Sequence, residues 1–376
     1  MVTKVGMGPA KEGGNIGHAA FVFVFAAILC SGVIVRVAGL SWGNLIEKRE
    51  LSAVPNWPSS LKQWEELPSA WDRYASDNFG LRNGLIAWNS YIHYKLGVSA
   101  QPKLMVGNQG WIFYVGGDIN WDFFRGANGI SDAQCKAWLD RMEQRQKWLA
   151  ERGIRYVILP APVKPTIYPE RLPYWVRQAA GKTIVDQLVS AAAARHINLV
   201  DVRQQLMQRK LQSATYTAYD THWTSEGAFI GYRAVMEKLG PIPGLVPLTR
   251  DTIQLSPTPP ERIQQDMLLM LGVDRFMRIQ GVEYVPRHAA SGRIQFLTAR
   301  TDRDSPQLIT TGVENTSRIM LVRDSYATAM LPFFNDTFGS LLVTHVQDGS
   351  FPQAYIEQYR PDIVLLEVQK AGLGAM

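Results

Sequence analysis

The stretch RIMLVRDSY, residues 318–326, decides the fold class of this chain. Its apolar residues 319–322 predict a short buried strand, and the polar residues after them predict a tight turn. A helix then begins near Tyr326, since Asp324 or Ser325 can cap it. A strand, a turn and a helix in this order present a hydroxyl at the carboxyl end of a parallel strand, with helix-start N–H groups available to an oxyanion. The stretch therefore predicts an α/β sheet and makes Ser325 a candidate nucleophile.

The same alternation of apolar runs and helices extends to both sides of this stretch. Further strands are predicted at RYVILP (155–160), INLVDV (197–202), SLLVTHV (340–346) and DIVLLEV (362–368). Helices are predicted at about 132–152, 182–195 and 225–239, from about 326, and near 353–359. Strands of continuous apolar character that alternate with helices predict a parallel sheet covered on both faces, which is a three-layer α/β fold.

Residues 241–315 interrupt this alternation. They contain several prolines, followed by the β-like runs RIQFLTA and QLITT. We therefore predict an irregular or β-rich insertion in this part of the domain.

The first 70 residues predict a membrane anchor and a linker. The run HAAFVFVFAAILCSGVIV (18–35) carries no formal charge, and its extension to residue 40 comes close to the ~20 residues that cross a bilayer as a helix. We predict a tail over 1–17, an uncleaved transmembrane signal-anchor over 18–40, a Pro-, Ser- and Trp-rich linker over 41–70, and the main domain over 71–376. A cleaved signal peptide and a buried soluble helix are the alternatives for the apolar run.

Composition and charge argue against several classes of protein. The chain has 376 residues, of which 46% are hydrophobic and 19% charged, with a net charge of +6. It has no block of five or more like charges, so a nucleic-acid-binding arm is not expected. The two cysteines, Cys30 and Cys135, form no CxxC motif, which argues against zinc fingers and thioredoxin-like chemistry. No group of His, Asp and Glu has a metal-ligand spacing, and we predict neither a metal nor a cofactor.

A second motif, YDTHWT at 219–224, holds Asp220 and His222 at a spacing that points both side chains to one face of an extended segment. A carboxylate beside an imidazole holds one tautomer and stabilises the charged ring. Taken alone, this pair could be a helix cap beside a surface histidine, and Ser325 could be an N-cap only. Taken together, the two motifs predict a Ser325–His222–Asp220 triad. His345, at the end of another strand, is the rival base.

Six segments carry a resemblance to a known family. They are EKREL (47–51), WDRYASDNFGLRNGLI (71–86), GNQGWIF (107–113), PVKPTIYPERLP (162–173), DTHWT (220–224) and DSYATAMLPFF (324–334). With these segments the sequence resembles the AlgJ/AlgX group of alginate O-acetyltransferases and their relatives in other exopolysaccharide systems. The resemblance covers most of the chain after the predicted anchor, and DTHWT is its most specific part.

The resemblance implies an SGNH hydrolase-like fold with a circularly permuted motif order, because the Asp–His motif precedes the serine. It also implies that Asp220, His222 and Ser325 are the catalytic triad. Further candidates for substrate or oxyanion contacts are Arg323, Tyr326, Lys164 and Trp223. Arg323 stands where the family usually has glycine, which leaves the oxyanion site less defined than the triad.

The function that the resemblance implies is the acetylation of an exported polysaccharide, alginate-like or another exopolysaccharide, through an acetyl-serine. It further implies a membrane-bound O-acyltransferase partner that supplies acetyl groups, a single-pass position in a bacterial inner membrane, and a catalytic domain in the periplasm. The alternatives are a carbohydrate acetylesterase with the same triad, and a non-catalytic scaffold of a polysaccharide export complex.

Overall fold

The computed structural model describes most of the chain and divides it into two units, Met1–Ile92 and His93–Met376. The described residues are 14–39, 50–116, 130–179, 183–287, 293–299 and 305–369. Residues 1–13 of the predicted tail and residues 41–49 of the predicted linker lie outside these ranges.

Helices make up much of the described part of the first unit. They are α1 (Gly14–Val37), α2 (Leu61–Asn78) and α3 (Arg82–Lys95), of which α3 ends in the second unit. Ser60 caps α2 through its side chain. The N–H and the hydroxyl of Ser52 both donate to Asp77, which ties the preceding segment to the end of α2. The predicted linker over 41–70 is therefore helical from the start of α2.

The helix predicted over residues 18–40 is present as α1, but its membrane-spanning character is not confirmed. Within the described ranges, none of the helices combines the length and the apolarity that a bilayer crossing requires. The transmembrane anchor therefore stays a prediction.

The second unit is organised around one large sheet. The strands described are β1 (Leu104–Val106), β2 (Ile112–Tyr114), β3 (Arg155–Ala161), β4 (Ile253–Pro257), β5 (Val282–Pro286), β6 (Gln295–Phe296), β7 (Gln307–Thr310), β8 (Arg318–Arg323), β9 (Ser340–His345) and β10 (Ile363–Gln369). The large sheet has the spatial order β3-β10-β8-β9-β7-β6, and its first four strands are parallel, as predicted. At the other edge, strands from the predicted insertion add antiparallel pairs to the sheet, β7 with β9 and β6 with β7.

The run INLVDV (197–202) does not form a full strand. Leu199 makes a single parallel bridge to Ile158 of β3. Directly afterwards, the side chain of Asp201 accepts the N–H of Arg203 and turns the chain away from the sheet edge. A strand predicted from an apolar run is thus shortened by a local polar turn.

Helices cover both faces of the sheet. In the second unit they are α4 (Asp132–Ala150), α5 (Lys164–Ile167), α6 (Tyr174–Ala179), α7 (Ile184–Ala194), α8 (Arg203–Arg209), α9 (Ser225–Leu239), α10 (Asp266–Leu271), α11 (Leu331–Asn335) and α12 (Gln353–Tyr359). Alternate side chains of β8 enter different cores: Ile319 and Leu321 join the core that contains α9, whereas Met320 and Val322 join the core that contains α4 and α7. The three-layer architecture is therefore confirmed.

The predicted insertion over 241–315 is more regular than expected. Its strands β4 and β5 form an antiparallel pair, and β7 and β6 extend the main sheet. The Tyr284 N–H of β5 donates to the Ser225 hydroxyl at 2.7 Å, which holds this strand pair at the first turn of α9. Residues 288–292 and 300–304 of the insertion lie outside the described ranges.

Candidate active site

The serine and histidine of the two sequence motifs meet at the carboxyl end of the parallel strands. Ser325 lies two residues beyond the end of β8, and His222 lies in the loop that leads into α9. The distance from His222 Nε2 to Ser325 Oγ is 2.8 Å, and the distance from His222 Nδ1 to Asp220 Oδ1 is 2.7 Å. Both distances are those of hydrogen bonds, so the three side chains form one connected chain.

The Asp220–His222 segment is a turn and not the extended segment that the spacing predicted. Asp220 Oδ1 accepts the backbone N–H of His222 at 2.9 Å, which is an Asx turn. The turn still brings the two side chains to the same side, because one carboxylate oxygen receives both the N–H and the ring of His222. The other oxygen accepts the N–H of Asp266 at 2.9 Å.

These hydrogen bonds keep the Asp220 carboxyl ionised. Asp220 is buried, and burial by itself would raise its pKa. The bonds from the His222 ring, from the His222 N–H and from the Asp266 N–H outweigh burial, so the pKa of Asp220 lies below its usual value. An ionised carboxylate can only accept hydrogen bonds, so His222 Nδ1 must carry the proton, and Nε2 is free to accept the hydroxyl proton of Ser325.

The turn that carries Ser325 uses its first helical N–H groups internally. A 3-10 helix runs from Ser325 to Met330, and the Asp324 side chain accepts the Tyr326 N–H at 2.9 Å. The Ala327 N–H donates to Glu367 at 3.1 Å. The expectation that helix-start N–H groups are open to an oxyanion is therefore wrong for Tyr326 and Ala327. Ser325 caps nothing, because Asp324 occupies the N-cap position.

Lys164 does not face a substrate, contrary to the sequence-based prediction. Its side chain is 2% exposed, and its Nζ donates to the backbone oxygens of Thr217, Ala218 and Asp220 at 3.2, 3.3 and 2.7 Å. Burial lowers the pKa of Lys164 well below its usual range, and the nearby Asp220 charge opposes this effect. Lys164 therefore anchors the loop that leads to the Asp–His pair.

Trp223 and Tyr326 also have structural roles. The prediction of Trp223 as a substrate contact is corrected in the same way, whereas Tyr326 lines the cavity beside the serine and its substrate contact stays a prediction. Trp223 is fully buried, and its indole N–H donates to the backbone oxygen of Tyr326 at 2.8 Å. The Tyr326 hydroxyl in turn donates to the backbone oxygen of Thr221 at 2.8 Å. Burial raises the pKa of Tyr326, so its hydroxyl stays a donor. The two aromatic residues join the serine turn to the histidine loop.

Arg323 and His345 lie next to each other in the pairing of β8 with β9. The Arg323 guanidinium donates to the backbone oxygen of Asp324 at 3.1 Å and to the Thr328 hydroxyl at 3.3 Å, so it spans the serine turn. His345 Nδ1 accepts the Gln347 N–H at 3.2 Å. The Ser325 hydroxyl is hydrogen-bonded to His222 and not to His345, the rival base.

A cavity of about 690 Å³ opens beside the serine and the histidine. One wall comes from the serine turn and α11, with Thr328 and Asn335, and the opposite wall comes from the insertion, with Ile263 and Tyr284. A cavity of this size accommodates a small ligand or a few sugar units, since ligand sites typically measure ~300–1,000 Å³. The insertion therefore contributes directly to the site.

Two acidic residues of the site region were missed by the sequence analysis. Asp266 comes from the insertion, and one oxygen of its carboxylate lies within 4.8 Å of ligand atoms of Asp220 and His222, close enough for the three to share a metal ion. Glu367 lies in β10 and binds the serine turn. Asp266 had no sequence signal, whereas a lone glutamate inside the apolar run DIVLLEV was a signal that could have identified Glu367.

The fold and this site define a class, the SGNH hydrolase-like α/β domains. Residues 104–360 match the family described as "SGNH hydrolase-like domain, acetyltransferase AlgX". The match covers more than half of the chain, and the chain belongs to this family. The predicted resemblance to the AlgJ/AlgX group is thereby confirmed, whereas the circular permutation of the fold stays a prediction.

Individual relatives agree with this assignment. The probable alginate O-acetylase AlgJ of Pseudomonas aeruginosa is 26% identical over 176 residues, which is 46% of this chain and 42% of that protein. This chain thus spans less than half the length of that relative.

Solved structures show the same fold at low identity. The structure of Bacillus cereus PatB1 with a sulfonyl adduct has a TM-score of 0.50 at 13% identity. The match covers 72% of this chain and 94% of the PatB1 chain. A DHHW family protein from Eubacterium siraeum has a TM-score of 0.50 at 16% identity. The match covers 73% of this chain and 92% of that protein's chain.

Proposed function

We propose that this chain is an O-acetyltransferase that carries an acetyl group on Ser325 and passes it to a hydroxyl of a polysaccharide. The observation that supports this most directly is the 2.8 Å hydrogen bond between His222 Nε2 and Ser325 Oγ beside a cavity of about 690 Å³. Membership of an acetyltransferase family indicates acetyl as the transferred group. A serine hydroxyl that is hydrogen-bonded to a half-buried histidine has more than a helix-capping role, which argues against a purely scaffolding function.

In the first half-reaction, the Ser325 oxygen attacks the carbonyl carbon of an acetyl donor. His222 Nε2 takes the hydroxyl proton as the new carbon–oxygen bond forms, and it returns that proton to the leaving group as the donor bond breaks. The products are acetyl-Ser325, the protonated leaving group and a neutral His222. Asp220 stabilises the positive charge that the ring carries between these two proton transfers.

In the second half-reaction, a sugar hydroxyl replaces the leaving group. His222 removes its proton, the hydroxyl oxygen attacks the acetyl carbon, and the proton returns to the Ser325 oxygen as the ester bond breaks. Water in place of the sugar would release acetate, which is the esterase alternative. The difference depends on whether the acceptor excludes water from the cavity.

The proposal is tested by following the acetyl group in the full-length chain. We expect 4-nitrophenyl acetate to acetylate Ser325, which mass spectrometry of the serine-containing peptide detects. The S325A variant should carry no label, and the control variant S317A, changed just before β8, should be labelled like the wild type.

The acceptor decides between the two enzymatic functions. Added oligosaccharide should speed the loss of the label and yield acetylated sugar. Release of acetate alone, whatever sugar is offered, would show that the chain is an esterase and not a transferase. Label on a residue other than Ser325 would overturn the nucleophile assignment.

The cellular setting is proposed from the family and from the sequence. The name of the AlgJ relative suggests an alginate-like acceptor, and a membrane-bound O-acyltransferase is the partner that would bring acetyl groups to the site. We propose a periplasmic catalytic domain held at the inner membrane by residues 18–40. Fractionation tests this: the full chain should sediment with membranes, and a chain that is secreted with a new N-terminus near Leu40 would contradict the anchor.

A further inference from the structure

Glu367 is a buried acid directly beneath the serine turn. It lies in β10, one residue beyond the last pairing of this strand with β8, Leu366 to Val322. The side chain is 0% exposed and points to the same side of the sheet as Ile363 and Leu365, which are in the core that contains α9. A leucine at this position would fit that core at less cost, because a buried carboxyl loses its hydration.

The end of β10 and the serine turn are bound to each other in both directions. Glu367 Oε2 accepts the Ala327 N–H at 3.1 Å and approaches the Asp324 N–H at 3.4 Å. The Asp324 carboxylate accepts the Tyr326 N–H and, through its other oxygen, the N–H of Gln369. Residues on both sides of Ser325 are therefore fixed to one strand end.

The surroundings of Glu367 favour its uncharged form. The charged and titratable groups near it are the Asp324 carboxylate, the Arg323 guanidinium, and the hydroxyls of Tyr216 and Tyr326. Burial first, and the Asp324 charge second, raise the pKa of Glu367 well above its usual value. None of the ion pairs found among the described residues involves Glu367.

We propose that Glu367 is a positioning residue, which holds the turn 324–327 against the end of β10 and thereby fixes Ser325 Oγ in line with His222 Nε2. The inference rests on the proposed function, since it concerns the reactivity of the same serine. Glu367 touches neither substrate nor reacting atoms. Its effect is on the turn: without it, the Ala327 N–H is a buried donor that must find another acceptor, and the turn shifts to provide one.

Phenylmethanesulfonyl fluoride measures the reactivity of the serine. The Ser325 oxygen bonds to sulfur, fluoride leaves, and the serine proton passes to His222, so the labelling rate depends on the contact between Ser325 and His222. In E367L, we expect the labelling rate and kcat for 4-nitrophenyl acetate to fall about 10- to 100-fold, because a displacement of ~1 Å costs about that much. KM should change less than kcat, since the parts of the cavity wall that come from α11 and the insertion are untouched.

E367Q keeps an acceptor oxygen and carries no charge, so its labelling rate at neutral pH should lie within about threefold of the wild type. Its stability should depend less on pH. A raised carboxyl pKa contributes stability at low pH, and that contribution is lost as the pH rises from about 4.3 towards the pKa in the folded state. The wild-type melting temperature should therefore fall more steeply than that of E367Q as the pH rises above about 4.3.

Thr344 provides a matched control. It is buried at the carboxyl end of the neighbouring strand β9, and its hydroxyl has no hydrogen-bond partner among the described residues. T344V also changes a buried polar group of the sheet without touching the serine turn. Its labelling rate should equal that of the wild type.

The outcomes separate this inference from the proposed function. If E367L does not fold, E367D takes its place, because its shorter side chain withdraws the carboxyl from the Ala327 N–H. A folded E367L or E367D that is labelled at the wild-type rate would overturn the positioning role alone. A wild-type chain that takes no label on Ser325 would overturn the proposed function, and the inference with it.

Discussion

His222 Nε2 lies 2.8 Å from Ser325 Oγ although the two residues are 103 positions apart in the chain. Two further bonds join the segments next to this contact. The Trp223 indole donates to the Tyr326 backbone oxygen, and the Tyr326 hydroxyl donates to the Thr221 backbone oxygen. The serine turn and the histidine loop are thus connected on both sides of the reactive pair, which fixes their relative position before any substrate binds.

The D220N variant should keep the fold and lose most of the activity. An asparagine can place its NH2 group toward the ring, so His222 no longer has to carry its proton on Nδ1, and the imidazolium loses its counter-charge. In other triads, the corresponding change lowers kcat by roughly four orders of magnitude. Steady-state rates with 4-nitrophenyl acetate measure this, and D201N is the control, since Asp201 pairs with Arg203 at the start of α8. A D220N enzyme whose kcat is within about tenfold of the wild-type kcat would show that Asp220 has no catalytic role.

Asp220 should also make the fold sensitive to acid. Its folded-state pKa is lowered, so its ionisation stabilises the protein above the pKa of the unfolded chain, which is about 3.9. That contribution is lost as the pH falls through the folded-state pKa. Melting temperatures of wild type and D220N should therefore converge below about pH 4 and separate above it. Parallel curves over the whole range would mean that the Asp220 bonds contribute no net stability.

Replacement of Lys164 should impair the enzyme without altering a substrate contact. K164M fills the same volume but leaves the backbone oxygens of Thr217, Ala218 and Asp220 without their donor. We expect a loss of ~1–3 kcal/mol in the free energy of unfolding. Because the loop carries Asp220, kcat should fall while KM stays close to the wild-type value.

Lys210 is the control for this change. Its Nζ binds the Ile167 backbone oxygen and the Glu170 carboxylate, and not the Asp220 loop. K210M should therefore leave kcat unchanged. A raised KM with unchanged kcat in K164M would restore the substrate-binding role that the structure argues against.

Gly227 of α9 should not tolerate a methyl group. A Cβ at this position would lie 2.6 Å from the Thr215 backbone oxygen and 2.9 Å from Trp223 Cβ. Alanine favours helices by ~1 kcal/mol over glycine, yet the contact with backbone should make G227A destabilising by ~1–3 kcal/mol. G231A on the same helix is the milder comparison, because its nearest neighbour, at 3.0 Å, is a ring atom of Trp223. Chemical denaturation measures both, and a G227A protein more stable than the wild type would contradict the close approach of α9 to the histidine loop.

Much of the site was accessible from local sequence patterns. The strand and turn around Ser325 follow from an apolar run that ends in Asp324, and these features involve only neighbouring residues. The start of α9 follows equally from Thr224, whose side chain accepts the Gly227 N–H. The Asp220 and His222 side chains do lie together, although the backbone between them is an Asx turn and not an extended segment.

The errors concern residues whose role depends on distant partners. Lys164 and Trp223 look like exposed polar and aromatic contacts in their motifs, but segments far along the chain surround them. The antiparallel strand β7 pairs with β9, a partner that an apolar run does not reveal. Burial and strand pairing are properties of the assembled sheet, and a linear pattern carries no information about them.

Local sequence patterns were sufficient to predict the class of fold, the nucleophile candidate and its base, because each prediction depends on residues that are close together in the chain. Which acidic residues lie against the site depends on the folded arrangement. The Glu367 carboxyl reaches the Ser325 turn from a strand end, and the Asp266 backbone N–H reaches Asp220 from the insertion. A buried carboxyl such as that of Glu367 acquires its role from the N–H groups and charges around it, and only folding brings those groups together.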